Sequence, residues 1–210
     1  MPWGPEDWDA LAVREARAAH PSAGPREVLE RTLRSIPERE LKTVADLGCG
    51  TGAQLPLLAS CFKRVVAVDY APAVLSQARR LADGLDVEFR RRDLRDLKPL
   101  WGRLHCAVAM ESILGPRSSD IDRVFEQVRR CLVEGGVFVS TFPAVARDAG
   151  PYPLTLNEEE DLETVHRFHE IEVQYRLRRA GFRGVRIRRL TAGDNHPEIL
   201  FCHASRRANN

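Results

Sequence analysis

The sequence lacks an apolar run that approaches the roughly 20 residues a membrane span requires. It also lacks a strong charge of either sign, because 32 basic and 30 acidic residues leave a formal net charge of +2. So small an excess does not indicate a nucleic-acid or membrane-surface protein. The first residues do not combine a basic start with an apolar core, as a signal peptide would. We therefore expect a cytoplasmic protein with no membrane partner.

Paired cysteines are absent as well. The five cysteines are an odd number, and no two of them form a C-x-x-C pair. This pattern argues against a disulfide framework and against a zinc or iron–sulfur site, so no metal is expected. Cys106 and Cys131 fall in apolar stretches and are predicted to be core residues. With 43% hydrophobic and 30% charged residues, the 210-residue chain is typical of one globular domain.

Short apolar runs alternate with helical patterns from Leu41 to Phe142. Such alternation predicts a parallel sheet with helical crossovers, which is an α/β fold. The helices are centred on Leu57, Leu75, Leu97 and Val128, and the third is short. The predicted strands are Thr43–Leu47, Val65–Asp69, Val87–Arg90, Cys106–Met110 and Val137–Phe142.

The segments outside this core differ from it in pattern. Two helices, Glu6–His20 and Arg26–Ser35, form a predicted N-terminal cap over residues 1–40, either a lid or packing for a sheet edge. After the core at 41–142, an insertion at 143–165 carries three prolines and an acidic run. Residues 166–210 predict a helix over His166–Ala180 and an antiparallel strand pair, Val185–Leu190 and Ile199–His203.

Three glycines, Gly48, Gly50 and Gly52, follow the first predicted strand at alternate positions. Glycine is favoured where the backbone adopts unusual dihedral angles or lies close to a ligand. The helix that follows points its free N–H groups at this turn, which favours a carboxylate or phosphate. A tight turn without a ligand would use the same residues. Asp69 ends the second strand about 20 positions later, where a carboxylate can accept hydrogen bonds from both ribose hydroxyls.

The segment Asp46–Gly52 resembles the nucleotide-binding motif of class I S-adenosylmethionine-dependent methyltransferases. A nicotinamide-binding chain more typically shows G-x-G-x-x-G, whereas the spacing here is G-x-G-x-G. The Leu104-His105 pair departs from the family, which usually has an aromatic–acidic pair there. The resemblance extends from Leu41 to His203. Other segments that match in order are Val68–Tyr70, Arg92–Leu94, Cys131–Gly136, which corresponds to the family's turn before strand five, and Ala180–Phe182.

This resemblance implies a three-layer sandwich with a Rossmann-like, seven-stranded, mostly parallel sheet whose last strand is antiparallel. It implies S-adenosyl-L-methionine as the cofactor, with Asp46 near its amino group and Asp69 on the ribose. Asp93 and the Leu94 N–H would meet the adenine, although an ordinary loop aspartate is the alternative for Asp93. Tyr70 is either an adenine contact or a surface aromatic. The implied cofactor-binding residues are Asp46, Gly48, Gly50, Gly52, Asp69, Tyr70, Asp93, Leu94 and Met110.

Two residues are candidates for catalysis. Glu111 follows the fourth strand, at the strand end where ligands bind in such sheets, and could deprotonate the acceptor or bind an amine. Its alternative is an ordinary loop charge. His169 is the second candidate, with His166 three residues before it on the predicted helix. A solvated helix face would show the same residues.

A small molecule is the expected acceptor, bound between the N-terminal helices and the insertion. The sequence has no Asn-Pro-Pro-Tyr motif and no Pro-Cys pair, which weakens a DNA-base acceptor. Arginine clusters at Arg90–Arg92, Arg178–Arg179 and Arg186–Arg189 leave a methyltransferase acting on RNA or protein as an alternative, although each cluster is also typical of a solvated surface. A non-catalytic protein of the same fold is a second alternative.

Overall fold

The predicted alternation of strands and helices forms one sheet with helices on both faces. The computed structural model describes residues 23–37, 42–114, 118–146, 167–191 and 198–206. The strands are β1 (Thr43–Leu47), β2 (Arg64–Asp69), β3 (Val87–Arg91), β4 (Leu104–Met110), β5 (Leu132–Pro143), β6 (Phe182–Leu190) and β7 (Ile199–Arg206). The helices are α1 (Ala23–Arg34), α2 (Leu55–Cys61), α3 (Pro72–Leu81), α4 (Ser118–Cys131) and α5 (Glu170–Arg179), with a 3₁₀ turn at Lys98–Leu100.

The strand order across the sheet is β3-β2-β1-β4-β5-β7-β6. Strands β1 to β5 pair in parallel, and β7 runs antiparallel to both β5 and β6. The predicted mostly parallel sheet with an antiparallel last strand is therefore confirmed. Strands β2 and β3 are added on one side of β1, and β4 is added on the other side, so the strand order switches between β1 and β4. In open α/β sheets, ligands bind beside such a switch point, at the carboxyl ends of the strands.

Alternate residues of the central strands face two separate apolar cores. Ala45 and Leu47 pack on the side of α4 and α5, and Val44 packs on the side of α1, α2 and α3. Both faces of β1 and β4 are covered, which explains their nearly continuous apolar sequences. Cys106 and Cys131 are fully buried in these cores, as predicted.

The start of β5 differs from the prediction. The predicted turn at Cys131–Gly136 is instead a bulge, because the fully buried Leu132 already pairs with Leu104 of β4. The next pair joins Cys106 to Val137, so four residues of β5 lie opposite one residue of β4. Gly135 takes a φ of 76° within this bulge.

The helix predicted over His166–Ala180 begins at Glu170, so its predicted start is wrong. Phe168 lies in extended backbone before it, where its N–H donates to the Pro143 carbonyl over 2.8 Å. Its ring packs on Phe142 with centroids 4.9 Å apart. These contacts keep Phe168 extended beside the end of β5, so the helix begins only at Glu170.

Some predicted segments lie outside the described residues. These are the helix at Glu6–His20, most of the insertion at 143–165, and His166. The second N-terminal helix is present as α1. None of the described helices combines the length and the hydropathy that a membrane span requires.

A buried ion-pair network joins α4 to α5. The Arg176 guanidinium in α5 donates to Glu172 and to Asp122 of α4, each over 2.8 Å. The Arg176 and Glu172 side chains are 5% and 3% exposed. Removal of one partner from such a pair strands the opposite charge in a medium that solvates it poorly.

We predict that Arg176→Met lowers the free energy of unfolding by about 3–5 kcal/mol, because it leaves the Glu172 carboxylate buried without its cation. Urea unfolding measures this change. The double variant Glu172→Gln/Arg176→Met should recover part of the loss. Arg178→Met, on the exposed side of the same helix, is the control and should stay within about 0.5 kcal/mol of wild type. Equal losses for Arg176→Met and Arg178→Met would contradict the prediction.

Candidate functional site

The glycine loop connects β1 to α2 and is tied to the end of β2. The N–H groups of Gly48 and Cys49 both donate to the Val68 carbonyl, over 2.8 and 2.9 Å. Gly48 has a φ of 69°, and a Cβ there would collide with the Ser112 side chain. Gly50 has a φ of 53°, and a Cβ there would meet nothing within 4 Å. The backbone at Gly50 therefore borders open space that a ligand can enter.

Asp69 lies against this loop at the end of β2. Its Oδ2 accepts from the Gly50 N–H over 2.9 Å, and its Oδ1 accepts from the Ala71 N–H over 3.0 Å. The structure thus brings together Asp69 and the glycine loop, two features that the sequence predicts to share one site. It also shows a second role for this carboxylate, which holds both the loop and the start of α3.

Asp46 lies within β1 and is 2% exposed. Its Oδ2 is buried without a hydrogen-bond partner among the residues that the structure describes. Burial, and after it the negative charge of Asp69, raises the pKa of Asp46 to about 7. A buried carboxylate without a partner is unfavourable, so this oxygen suits a cationic or N–H donor that a ligand brings.

Cys49 in the loop does not fit a nucleophile. Burial raises the pKa of its thiol well above the usual range, and the charges of Asp46 and Asp69 raise it further. A thiol that stays protonated at neutral pH is a poor nucleophile and a poor metal ligand. No cluster of three or more potential metal ligands occurs in the described part of the chain.

Glu111 follows β4 directly and is exposed. Its φ of 52° makes it the one residue other than glycine, among those described, in the left-handed region. Thr141 of β5 accepts the Glu111 N–H through Oγ1 over 2.8 Å. The next residue, Ser112, donates its hydroxyl to the Leu47 carbonyl over 2.5 Å. The strands on either side of β4, namely β5 and β1, therefore hold Glu111 in a conformation that a glutamate rarely adopts. Such strain often marks a functional position.

Asp93 follows β3, but Arg95 occupies its carboxylate. The Arg95 backbone N–H donates to Oδ1 over 2.8 Å, and its guanidinium Nη2 donates to Oδ2 over 2.5 Å. Burial favours the neutral form of Asp93, but the hydrogen bonds from Arg95 outweigh it and lower its pKa. The predicted adenine contact at Asp93 therefore requires a carboxylate that also binds Arg95. Leu94 beside it is partly buried against the core on the α4 side.

The remaining predicted residues differ in their surroundings. Tyr70 is partly exposed, and its carbonyl accepts from the Arg91 Nε over 3.2 Å. Met110 ends β4 and packs against the core on the α1 side. His169 is the residue before the first turn of α5, so it does not lie on the helix face proposed for it.

Arg26 lies beside the glycine loop, although no sequence pattern indicated it. It lies in the first turns of α1, and its Nη1 donates to the carbonyl of Ala53, directly after the glycine loop, over 3.2 Å. Nothing in the sequence separates it from the many other arginines. Its position depends on how α1 packs through Val28 and Leu29 on the same core as α2.

Comparison with known proteins agrees with this geometry. The sequence profile of a family described as "Methyltransferase domain" matches residues 44–136, which hold the glycine loop, Asp69 and Glu111. Residues 44–136 therefore form a methyltransferase domain of the class I S-adenosylmethionine-dependent type. The cofactor of this family is S-adenosylmethionine.

Individual methyltransferases are similar over parts of the chain. The trans-aconitate 2-methyltransferase of Deinococcus radiodurans is 30% identical over 147 residues, which cover 69% of this chain and 50% of that protein. The magnesium-protoporphyrin O-methyltransferase of Rhodobacter capsulatus is 39% identical over 88 residues, 40% of this chain and 38% of that protein. The chain thus aligns with half or less of either relative. DhpI, in its complex with S-adenosylhomocysteine (SAH), has the same fold, with a TM-score of 0.70 and 20% identity over 98% of this chain and 96% of that chain.

The residues of this methyltransferase domain fit that cofactor. Asp46 presents a buried acceptor without a partner in the described residues. Gly50 leaves open space beside the loop, and Asp69 lies next to it. A zwitterionic amino acid joined to a ribose offers donors for both carboxylates.

We predict that Glu111→Gly raises the free energy of unfolding by about 0.5–1 kcal/mol, because glycine adopts a φ of 52° without the steric cost that a side chain has there. Urea unfolding without cofactor measures the change. Glu111→Ala is the matched control: it also removes the carboxylate but keeps the strain, and should give no gain. If both variants shift stability equally, the left-handed backbone of Glu111 is not strained.

Proposed function

We propose that this chain transfers the methyl group of S-adenosylmethionine to a small-molecule acceptor. The observation that carries the proposal is the juxtaposition, at the carboxyl ends of β1 and β2, of the left-handed glycine loop, the buried Oδ2 of Asp46 and the Asp69 carboxylate. When bound, S-adenosylmethionine supplies a methyl group on a positively charged sulfur, which makes the methyl carbon electrophilic. The protein then has to bind the acceptor, orient its attacking atom towards the methyl carbon, and exclude water.

The amino-acid end of the cofactor would lie between Asp46 and Arg26. Asp46 is the acceptor for an ammonium group, because its Oδ2 is buried without another partner among the described residues. Arg26 uses Nη1 on the Ala53 carbonyl, and its remaining N–H groups suit a carboxylate. An acid on one side and a base on the other would orient a zwitterion by charge.

The nucleoside end would lie along the carboxyl ends of β2 and β3. We assign the ribose hydroxyls to Asp69, because its carboxylate ends β2 beside the glycine loop, where it accepts from the Gly50 and Ala71 N–H groups. Tyr70 and Met110 would border the adenine. The Leu94 N–H and Asp93 would meet its polar edge, with Asp93 oriented by Arg95.

Glu111 is the residue we assign to the acceptor. It is exposed at the carboxyl end of β4, and its neighbour Ser112 lies against Gly48 of the loop. A carboxylate there can accept a hydrogen bond from an amine or hydroxyl of the acceptor and take its proton. His169, at the start of α5, is the second candidate for this role.

A small-molecule acceptor is supported by the names of the similar proteins, which act on trans-aconitate and on magnesium-protoporphyrin. The alternative of an RNA or protein acceptor depends on arginine clusters. Some of those arginines form ion pairs, since Arg90 pairs with Glu88 and Arg189 pairs with Glu170 and Glu198. Paired arginines contribute less to the attraction of a polyanion.

The proposal predicts that methyl-labelled S-adenosylmethionine, incubated with the protein and a cell extract, labels the fraction of low molecular mass. Label in RNA or protein would favour the alternative acceptor. Label in neither fraction, with SAH still binding in a calorimetric titration, would indicate a non-catalytic protein. Tighter binding of NAD than of SAH would contradict the cofactor assignment.

For Asp69 we predict loss of ribose recognition. Wild-type protein should bind SAH about 10–100-fold more tightly than its 2′-deoxy analogue, because a charge-assisted hydrogen bond contributes about 1.5–3 kcal/mol. Asp69→Asn should bind SAH more weakly and reduce this ratio. Asp83→Asn, at an exposed position between α3 and β3, is the control and should keep the wild-type ratio. An unchanged ratio in Asp69→Asn would remove Asp69 from the ribose site.

A further inference from the structure

The surroundings of Asp46 make it an unusual position for a charge. In the sheet it lies between Ala67 of β2 and Val108 of β4, both fully buried apolar residues. It is 2% exposed, and its Oδ2 has no hydrogen-bond partner among the described residues. A carboxyl group in such a place is more stable neutral than ionised.

The charged groups around Asp46 strengthen this preference. Asp69, from β2, is negative and acts on Asp46 directly. The Cys49 thiol of the loop is neutral, because its pKa is raised. Arg79 of α3 acts on Cys49, but it is not among the groups that shift Asp46. From β4, Asp46 faces the apolar Val108. Burial and Asp69 together raise the pKa of Asp46 to about 7, so the free protein carries a proton there in mildly acidic solution.

We infer that cofactor binding exchanges a proton for a cation at Asp46: the carboxyl group loses its proton to solvent, and its oxygen accepts a hydrogen bond from the cofactor's ammonium group. This inference rests on the proposed function. The ammonium group keeps its own proton, so one proton leaves for each cofactor bound to a protonated site. The carboxylate remains ionised in the complex because a positive charge adjacent to it favours the charged form.

Two consequences follow from proton linkage. Below pH 7, affinity for S-adenosylhomocysteine should increase by up to about tenfold for each unit by which the pH is raised, because each complex then releases close to one proton. Above this range the carboxyl group is already ionised, so affinity should level off. A ligand without the ammonium group, such as 5′-methylthioadenosine, should bind without releasing a proton.

The test is calorimetric titration with S-adenosylhomocysteine at pH 6 and pH 8, in two buffers of different ionisation enthalpy at each pH. The dependence of the measured heat on the buffer gives the number of protons released. We expect nearly one proton at pH 6 and nearly none at pH 8. Asp46→Asn should release none at either pH and lose the pH dependence of affinity. Asp83→Asn, at an exposed position, should behave as wild type.

A second measurement needs no cofactor. Because folding raises the pKa of Asp46, its contribution to stability is present at low pH and is lost as the pH rises towards 7. The melting temperature of Asp46→Asn relative to wild type should therefore increase from pH 5 to pH 8.

These results separate failure of the inference from failure of the proposed function. Binding of S-adenosylhomocysteine without proton release at pH 6, or proton release that persists in Asp46→Asn, would overturn the inference and leave the function intact. Absence of binding at both pH values would overturn the proposed function, and the inference with it. A relative melting temperature that does not change with pH would show that Asp46 is not protonated in the free protein.

Discussion

The hydrogen bonds that tie the glycine loop to the end of β2 are the constraint on which the site depends. One carbonyl, that of Val68, accepts from two successive loop N–H groups, and the next side chain, Asp69, accepts from a third. The loop therefore cannot move without the end of β2. Because β1 and β2 are parallel neighbours in the middle of the sheet, this attachment also fixes where α2 and α3 begin.

The electrostatic character of the site follows from the same geometry. Asp46, Asp69 and Glu111 come from three neighbouring strands, and their carboxylates gather at one edge of the sheet. Asp46 has no hydrogen-bond partner for Oδ2 within the described residues. S-adenosylmethionine has two positive groups, a sulfonium and an ammonium, and one negative carboxylate, so it is a net cation. An acidic edge is therefore suited to this cofactor, and the more so where the carboxylates are shielded from water.

The site is held by a scaffold whose stability has other sources. Two apolar cores cover the two faces of the sheet. The Arg176 network joins α4 to α5, and none of its residues is a predicted site residue. A rigid scaffold can hold unfavourable local features, such as the left-handed backbone of Glu111 and the buried carboxyl group of Asp46. Both features cost stability and lie at the carboxyl edge of the sheet, where ligands bind.

The sequence by itself determined the class of fold, the sheet core and the glycine loop. These depend on local patterns: apolar runs of strand length, helical spacing between them, and glycines at alternate positions after β1. Only the tertiary structure decided which side chains reach the site and in what state. Arg26 and Ser112 meet the loop region through packing between distant segments, Thr141 binds the Glu111 N–H, and Arg95 occupies the carboxylate of Asp93. The protonation of Asp46 depends on burial and on Asp69, two quantities that arise only when strands far apart in the chain are brought side by side.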